Sequence, residues 1–178
     1  SIYGSHDRLI REKVLTPLGL FHTYYRNIAG LPALVKNYLD YSGTGELQNV
    51  TVLQQSSIMG AKGDDGIVAT PFDAVVFLRG LMEGRLLSSA SLNQMTNWVS
   101  DDEGKPVYGM GLYHIEYSHV TGVGHGGAGA GAGCALYYFP GKGVYVFLGT
   151  NIGTLADGPL VRKVNELKLK MLDIILND

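Results

Sequence analysis

The chain is predicted to adopt an α+β fold, with antiparallel sheet strands and a C-terminal helix packed on one face, joined to a helical subdomain. Three observations predict it. Residues 1–105 carry helix signals and turn formers, whereas runs rich in Tyr, Val, Leu and Phe follow from residue 106. Pro140-Gly141-Lys142-Gly143 is a hairpin turn signal between two of those runs. The last element, about residues 159–176, has the spacing of an amphipathic helix suited to lie across a sheet. The expected division is 1–105, part of a helical subdomain and cleft wall, and 106–178, with strands near 108–117, 134–139 and 144–150 and the C-terminal helix.

Taken in order, Ser5 can cap a first helix with Asp7 in its opening turn and Leu9, Ile10 and Val14 as its apolar stripe. Pro17 disfavours the helical region at Thr16, so this helix is expected to stop near Leu15. The chain has no initiating methionine and reads as though cut from something longer. Residues 20–66 show weak periodicity and turn formers at Gly30, Pro32, Ser42-Gly43, Gly45 and Gly60, with frequent tyrosines. They read as a largely irregular excursion, either lining a cleft or wrapping the surface. Residues 70–83 give the clearest helix. Thr70 is its N-cap, Pro71 its first residue, and Asp73 can reach back in a capping box. Ala74, Phe77, Leu78, Leu81 and Met82 form its buried face. Gly80 costs it about 1 kcal/mol relative to alanine, and Gly84 ends it. A second helix is expected from Ser89 to about Val99, with Leu92, Met95 and Val99 on one face. Tyr108-Gly109-Met110-Gly111-Leu112-Tyr113-His114 reads as strand, as do Cys134–Phe139 and Val144–Gly149. Leu160, Val164, Leu167, Met171, Ile174 and Ile175 define the expected inner side of the last helix.

With 178 residues the chain can bury a sizeable core, and 46% hydrophobic against 17% charged residues is a globular composition. A net charge of −2 without basic clusters argues against nucleic acid as a partner. Cys134 is the single cysteine, which leaves no disulfide within the chain and no cysteine-based metal site, and its apolar surroundings read as a small buried hydrophobe. No apolar stretch reaches the ~20 residues that span a bilayer.

The chain is organised around Gly124-His125-Gly126-Gly127-Ala128 and the small-residue run to Gly133. Glycine packs poorly in a strand interior, so these residues read either as a place where a ligand approaches the backbone or as a flexible loop or linker.

Four stretches carry a resemblance. Pro17-Leu18-Gly19-Leu20-Phe21-His22-Thr23 is similar to a "PLGM…T" segment. Gly63-Asp64-Asp65-Gly66-Ile67-Val68-Ala69-Thr70, leading into Phe72-Asp73, is similar to "G-G-L-x-S-T-x-x-D". Tyr108-Gly109-Met110-Gly111-Leu112 is similar to "YGLGW". His125-Gly126-Gly127 is similar to a Lys-Thr-Gly or His-x-Gly motif. In this order and spacing, over essentially the whole chain, they resemble the serine β-lactamase and D-alanyl-D-alanine peptidase superfamily, in the branch near class C β-lactamases and related esterases. The resemblance implies a β-lactamase/transpeptidase-like fold, present here in part. It also implies acyl transfer by a serine nucleophile on a small-molecule or peptidoglycan-like acyl substrate, no cofactor, and a periplasmic or secreted bacterial parent.

Departures from the family pattern matter equally. No serine in this chain has lysine three residues on, so the Ser-x-x-Lys motif, in which lysine activates the nucleophile, is absent. Tyr25-Arg26-Asn27 matches Tyr-x-Asn formally but follows the "PLGL" segment, whereas the family's catalytic tyrosine precedes it. The chain therefore resembles the C-terminal half of such a hydrolase, inactive alone and partnered by its missing N-terminal half. By the same resemblance, Ala128 supplies a backbone oxyanion donor worth ~3 kcal/mol, His125 faces the cleft as a polar group, and Gly126 and Gly127 let substrate backbone lie against the strand. A metal site from His114, His119 and His125 fits the spacing poorly. Asp64-Asp65 reads as turn rather than as a catalytic pair. The rival reading is a non-catalytic binding module that kept the cleft. An unpaired sheet edge in the chain alone implies association, for example as a homodimer.

Overall fold

The computed structural model describes residues 5–25, 34–60, 66–155 and 157–177. Arg26, Asn27, Gly30, Pro32 and Gly63-Asp64-Asp65, which entered the sequence reading, lie outside the described residues. The chain divides into two compact units, each assembled from separate segments. One comprises Ser1–Tyr25, Ala69–His125 and Leu136–Phe147, and the other Arg26–Val68, Gly126–Ala135 and Leu148–Asp178.

In the first unit, Ser5 caps α1 (His6–Ile10) by accepting from Arg8 N at 3.3 Å. The helix does not stop at Leu15. It passes through a π-helical turn (Arg11–Leu15) into α2 (Thr16–Leu18) and ends at Gly19, whose φ of 69° is left-handed. The wide turn accommodates Pro17. Thr16 N–H already bonds to Arg11 O, five residues back, so the α-type ladder that proline would interrupt has been left before Pro17 is reached. Leu20 N–H continues that register to Leu15 O at 2.9 Å. The short strand β1 (Tyr24–Tyr25) follows.

In the second unit, β2 (Tyr38–Leu39) pairs antiparallel with β3 (Gln48–Asn49). After them comes α3 (Thr51–Gly60), where an irregular excursion was expected. Its periodicity is hidden because burial runs against polarity. Val52 and Leu53 are exposed, while Gln54 is buried. The two-residue strand β4 (Ile67–Val68) closes the segment.

Returning to the first unit, α4 (Pro71–Met82) begins at its Thr70 cap, which accepts from Asp73 N at 3.2 Å. Leu78 and Leu81 from α4 join Leu112 and Val123 in the buried core, ringed by Phe77, Met82, Trp98, Leu136 and Tyr138. Each such leucine contributes on the order of 1.5–3 kcal/mol by leaving water. Asp73 does not reach back along its own helix. It is 4% exposed, and its Oδ2 accepts from His22 N and Thr23 Oγ1, both at 2.9 Å. The PLGL…T and T-x-x-D stretches are therefore two halves of one clamp. Gly80 is buried where the Leu18 side chain crosses α4, and a Cβ there would collide with it. Gly80→Ala should accordingly cost about 1–3 kcal/mol through overpacking, despite the helix propensity it gains. A rise in the denaturation midpoint would show that Leu18 moves aside freely.

Ser88 caps α5 (Ser89–Met95), which ends before Val99. Met95 O accepts from Met110 N at 2.9 Å, and Val99, 68% exposed, instead opens β5 (Val99–Ser100). The expected strand over 108–117 is a hairpin. β6 (Pro106–Tyr108) turns through Gly109–Leu112 into β7 (Tyr113–Tyr117), with Tyr108 opposite Tyr113. Gly109 N–H bonds to Leu112 O at 2.8 Å, and Gly111 takes a φ of 76°, which suits glycine. A two-residue turn, Ser118-His119, then leads into β8 (Val120–Ala128), so a regular hairpin stands between His114 and His125. β9 (Gly133–Phe139) and β10 (Val144–Thr150) flank the Pro140–Gly143 turn. The six strands run in the order β10-β9-β8-β7-β6-β5.

Thus β8 stands between β9 and β7, and the motif stretch is itself a strand. Its glycines answer to their neighbours. A side chain at Gly122 would strike Ile115 and the fully buried ring of Phe139, and one at Gly124 would strike the backbone of Leu136 and Tyr137.

In the second unit, α6 (Pro159–Asn177) buries Val161, Leu172 and Leu176. Leu167, Met171 and Ile174, expected inside, are exposed. At 3.6 residues per turn the buried line is rotated by roughly a quarter-turn from the expected one. The apolar arc of this helix is broad, so spacing fixes its polar side more narrowly than the line that is buried.

Candidate active site

β8 pairs with β7 from Tyr117–Val120 to Tyr113–Gly124. His125, Gly126, Gly127 and Ala128 follow on β8 beyond the first residue of β7. The stretch singled out by sequence therefore begins where that ladder ends.

In the first unit, His125 is solvent-exposed and sits against two tyrosines. Tyr108 Oη lies 3.2 Å from His125 Nε2. The Tyr113 ring lies 4.7 Å from the imidazole at 42°, and the two tyrosine rings meet edge-on at 4.7 Å. Register explains the grouping: Tyr108 faces Tyr113 across the β6–β7 turn, and Tyr113 faces Gly124, the residue before His125. Sequence reasoning did not select Tyr108 or Tyr113. The available signal was that Tyr108 opens one of the four recognised stretches.

The other histidines are placed elsewhere. His114 packs edge-on against Trp98 at 5.3 Å, His119 occupies the β7–β8 turn with a φ of 69°, and His6 Nδ1 lies 2.8 Å from Tyr25 Oη. Among the described residues no group of three His, Cys, Asp or Glu side chains gathers to hold a metal ion. No helix among them is long and apolar enough to cross a membrane.

In the second unit, a Cβ at Gly127 would come 2.9 Å from Cys134 Sγ, so the sulfur fills the space a side chain would need. Burial pushes the Cys134 thiol up, with Lys168 and the Gly127 backbone acting against it. The group stays protonated at neutral pH and is no replacement nucleophile. Behind Ala128, the small residues do not form a flexible linker. Gly129 N–H bonds to Ala132 O at 2.9 Å, and Thr154 N–H to Gly129 O at 3.0 Å. Thr154 Oγ1 donates to Ala132 O at 3.2 Å, and Asn37 Nδ2 donates to Gly131 O at 2.9 Å. Buried Gln54 accepts from Gly131 N at 2.8 Å. Thr154, Asn37 and Gln54 all come from distant segments, so nothing local in the sequence announces them. Gln54→Ala should destabilise the chain by about 1–3 kcal/mol, since it strands a buried N–H. Urea denaturation measures this, and an unchanged midpoint would mean water replaces the amide.

A serine hydrolase needs a nucleophile, its base and a pair of oxyanion donors. This chain offers a strand carrying a positioned imidazole and, three residues on, a backbone held by a clamped turn.

Comparison with known proteins follows the same line. The family model described as Beta-lactamase matches residues 3–168. No curated protein matches the chain. Among solved structures, the D-amino acid amidase from Ochrobactrum anthropi SV3, complexed with L-phenylalanine amide, superposes with a TM-score of 0.79 at 24% identity, covering 96% of this chain and 51% of that one. A D-stereospecific amidohydrolase from Streptomyces sp. gives 0.70 at 24% identity, covering 83% and 44%. The octameric penicillin-binding protein homologue from Pyrococcus abyssi gives 0.73 at 20% identity, covering 98% and 38%. The chain spans about half the length, or less, of these structures, and at such identities the likeness is one of fold.

Proposed function

The chain belongs to the β-lactamase family, and from that premise we propose that it is the C-terminal half of a serine-nucleophile acyl hydrolase, carrying the third catalytic motif at His125-Gly126-Gly127. The observation that carries this reading is the placement of that motif on β8 just past the end of β7, with Tyr108 on the imidazole. In this reading, Ala128 N–H is one of two oxyanion donors, and the other belongs to a nucleophilic serine outside this chain. His125 is the polar group beside the reacting centre. Gly126 and Gly127 let the acyl substrate lie along the strand. The substrate class is a β-lactam, a D-configured peptide or amide, or an ester. That a D-amino acid amidase and a D-stereospecific amidohydrolase are among the proteins of like fold favours the amide.

The residues present supply stabilisation but no attack. A serine without a lysine or tyrosine base is a poor nucleophile at neutral pH. The 178-residue chain alone is therefore expected to remain unlabelled by fluorescent penicillin or a phosphonate ester. The same chain extended upstream through Ser-x-x-Lys and Tyr-x-Asn is expected to label stoichiometrically, with intact mass locating the adduct. Labelling of the short chain on one of its own serines would falsify the assignment, and ligand binding by the extended chain without an adduct would support a binding module instead. In the short chain, β10 lies at one end of the strand order, all seven of its residues uncharged. That edge is where the missing half, or a second copy, would pair.

A further inference from the structure

We propose that Tyr108 is a positioning residue that sets the tautomer of His125, holding the imidazole proton on Nδ1. The inference deepens the reading of His125 as the polar group of the third motif and rests on that reading for its catalytic consequence. The contact that carries it is Tyr108 Oη to His125 Nε2 at 3.2 Å. Either atom could supply the hydrogen, and chemistry decides between them. A phenol ionises near pH ~10, whereas a neutral imidazole N–H is a far weaker acid. The favoured arrangement puts the phenol O–H as donor and the basic imidazole nitrogen as acceptor. When Nε2 accepts, the single proton of the neutral ring resides on Nδ1, the reverse of the preference of free histidine.

The surroundings make the contact a fixed one. Tyr113 lies along the imidazole, 4.7 Å away and tilted by 42°. Tyr108 approaches it edge-on, at 5.9 Å and 73°. The tyrosines brace each other at 67° across the β6–β7 turn, whose geometry Gly109 and Gly111 permit. A single hydroxyl thus separates two distinguishable functions of Tyr108: ring packing, which phenylalanine would preserve, and tautomer selection, which it would not. His125 then donates in a defined direction from Nδ1. A histidine free to exchange tautomers would lose part of its time in the wrong one.

The test uses the 178-residue chain as it is. Long-range ¹H–¹⁵N correlation of the imidazole at neutral to mildly alkaline pH reads the tautomer directly. The wild type is expected to show His125 protonated on Nδ1. Tyr108→Phe should shift the population to a majority of Nε2–H. Tyr113→Phe, which keeps the ring and leaves the Tyr108 hydroxyl in place, should resemble the wild type. An Nε2–H tautomer in the wild type overturns the proposal without recourse to any variant, and so does an unchanged tautomer in a folded Tyr108→Phe. In the extended chain, Tyr108→Phe should slow acylation about three- to tenfold, a fraction of the general acid–base range. The two readings fail separately. An extended chain that never labels defeats the acyl-transfer assignment, whereas the NMR result is decided without any turnover.

Discussion

Replacing His125 by alanine in the upstream-extended chain should slow acylation by roughly ten- to a thousandfold. That corresponds to about 1.4–4 kcal/mol of lost transition-state stabilisation. The loss should fall on the acylation rate constant rather than on initial binding, because a polar group beside the reacting centre acts most strongly when charge develops there. Structure should survive the change. His125 is exposed on β8, and Tyr108 and Tyr113 beside it also pack on each other. Stopped-flow labelling with a chromogenic acyl donor separates the two parameters. A rate within threefold of wild type would remove His125 from the chemistry and leave it as a strand-end residue.

Asp73→Ala should be the most damaging substitution to the fold, at about 2–5 kcal/mol. Its Oδ2 receives two hydrogen bonds from the segment after α2, and the carboxylate is almost fully buried. Deleting it leaves His22 N–H and the Thr23 hydroxyl without their acceptor, at the desolvation cost of each. The Thr70 cap on Asp73 N would persist, since it uses the backbone. Asp73→Asn, which keeps one acceptor oxygen, should recover a good part of the loss. Thermal denaturation of the three proteins checks the ranking. Equal stability of the alanine and wild-type proteins would mean the clamp is dispensable.

The legible parts of the sequence were those in which a local rule and the tertiary environment agree. Thr70-Pro71 followed by an apolar stripe specifies α4 because the residues that favour the helix also enter the core. Pro140–Gly143 likewise marks the turn between β9 and β10. Where environment overrides the rule, sequence misleads. Proline within α2 is tolerated because the preceding turn widens, and α3 turns an amide inward and aliphatic groups outward. The glycines of β8 suggest a loop until the Phe139 ring and the Tyr137 backbone are seen occupying the space beside them. At the candidate site, the motif itself could be found by pattern. Tyr113 could not, because its place beside His125 depends on the register of β7 against β8. Gln54 could not either, being 77 residues from the amide it satisfies.

That separation bears on the order in which the protein folds. Gly131 is tied to Gln54 and Asn37 across 77 and 94 residues of chain. Closing loops of this length costs entropy before any contact compensates for it, so such contacts tend to form late. A hairpin with a two-residue turn can close on the microsecond scale, which gives β7 and the first half of β8 a head start. The backbone behind Ala128 must await the arrival of distant segments. The expectation for hydrogen exchange is therefore a gradient from β8 into the turn behind it, with protection acquired first near Val120–Gly124 and last at Gly131. Under the proposed reading, a strand assembled in that sequence would hold its imidazole early and gain its oxyanion donor only once those distant segments have arrived.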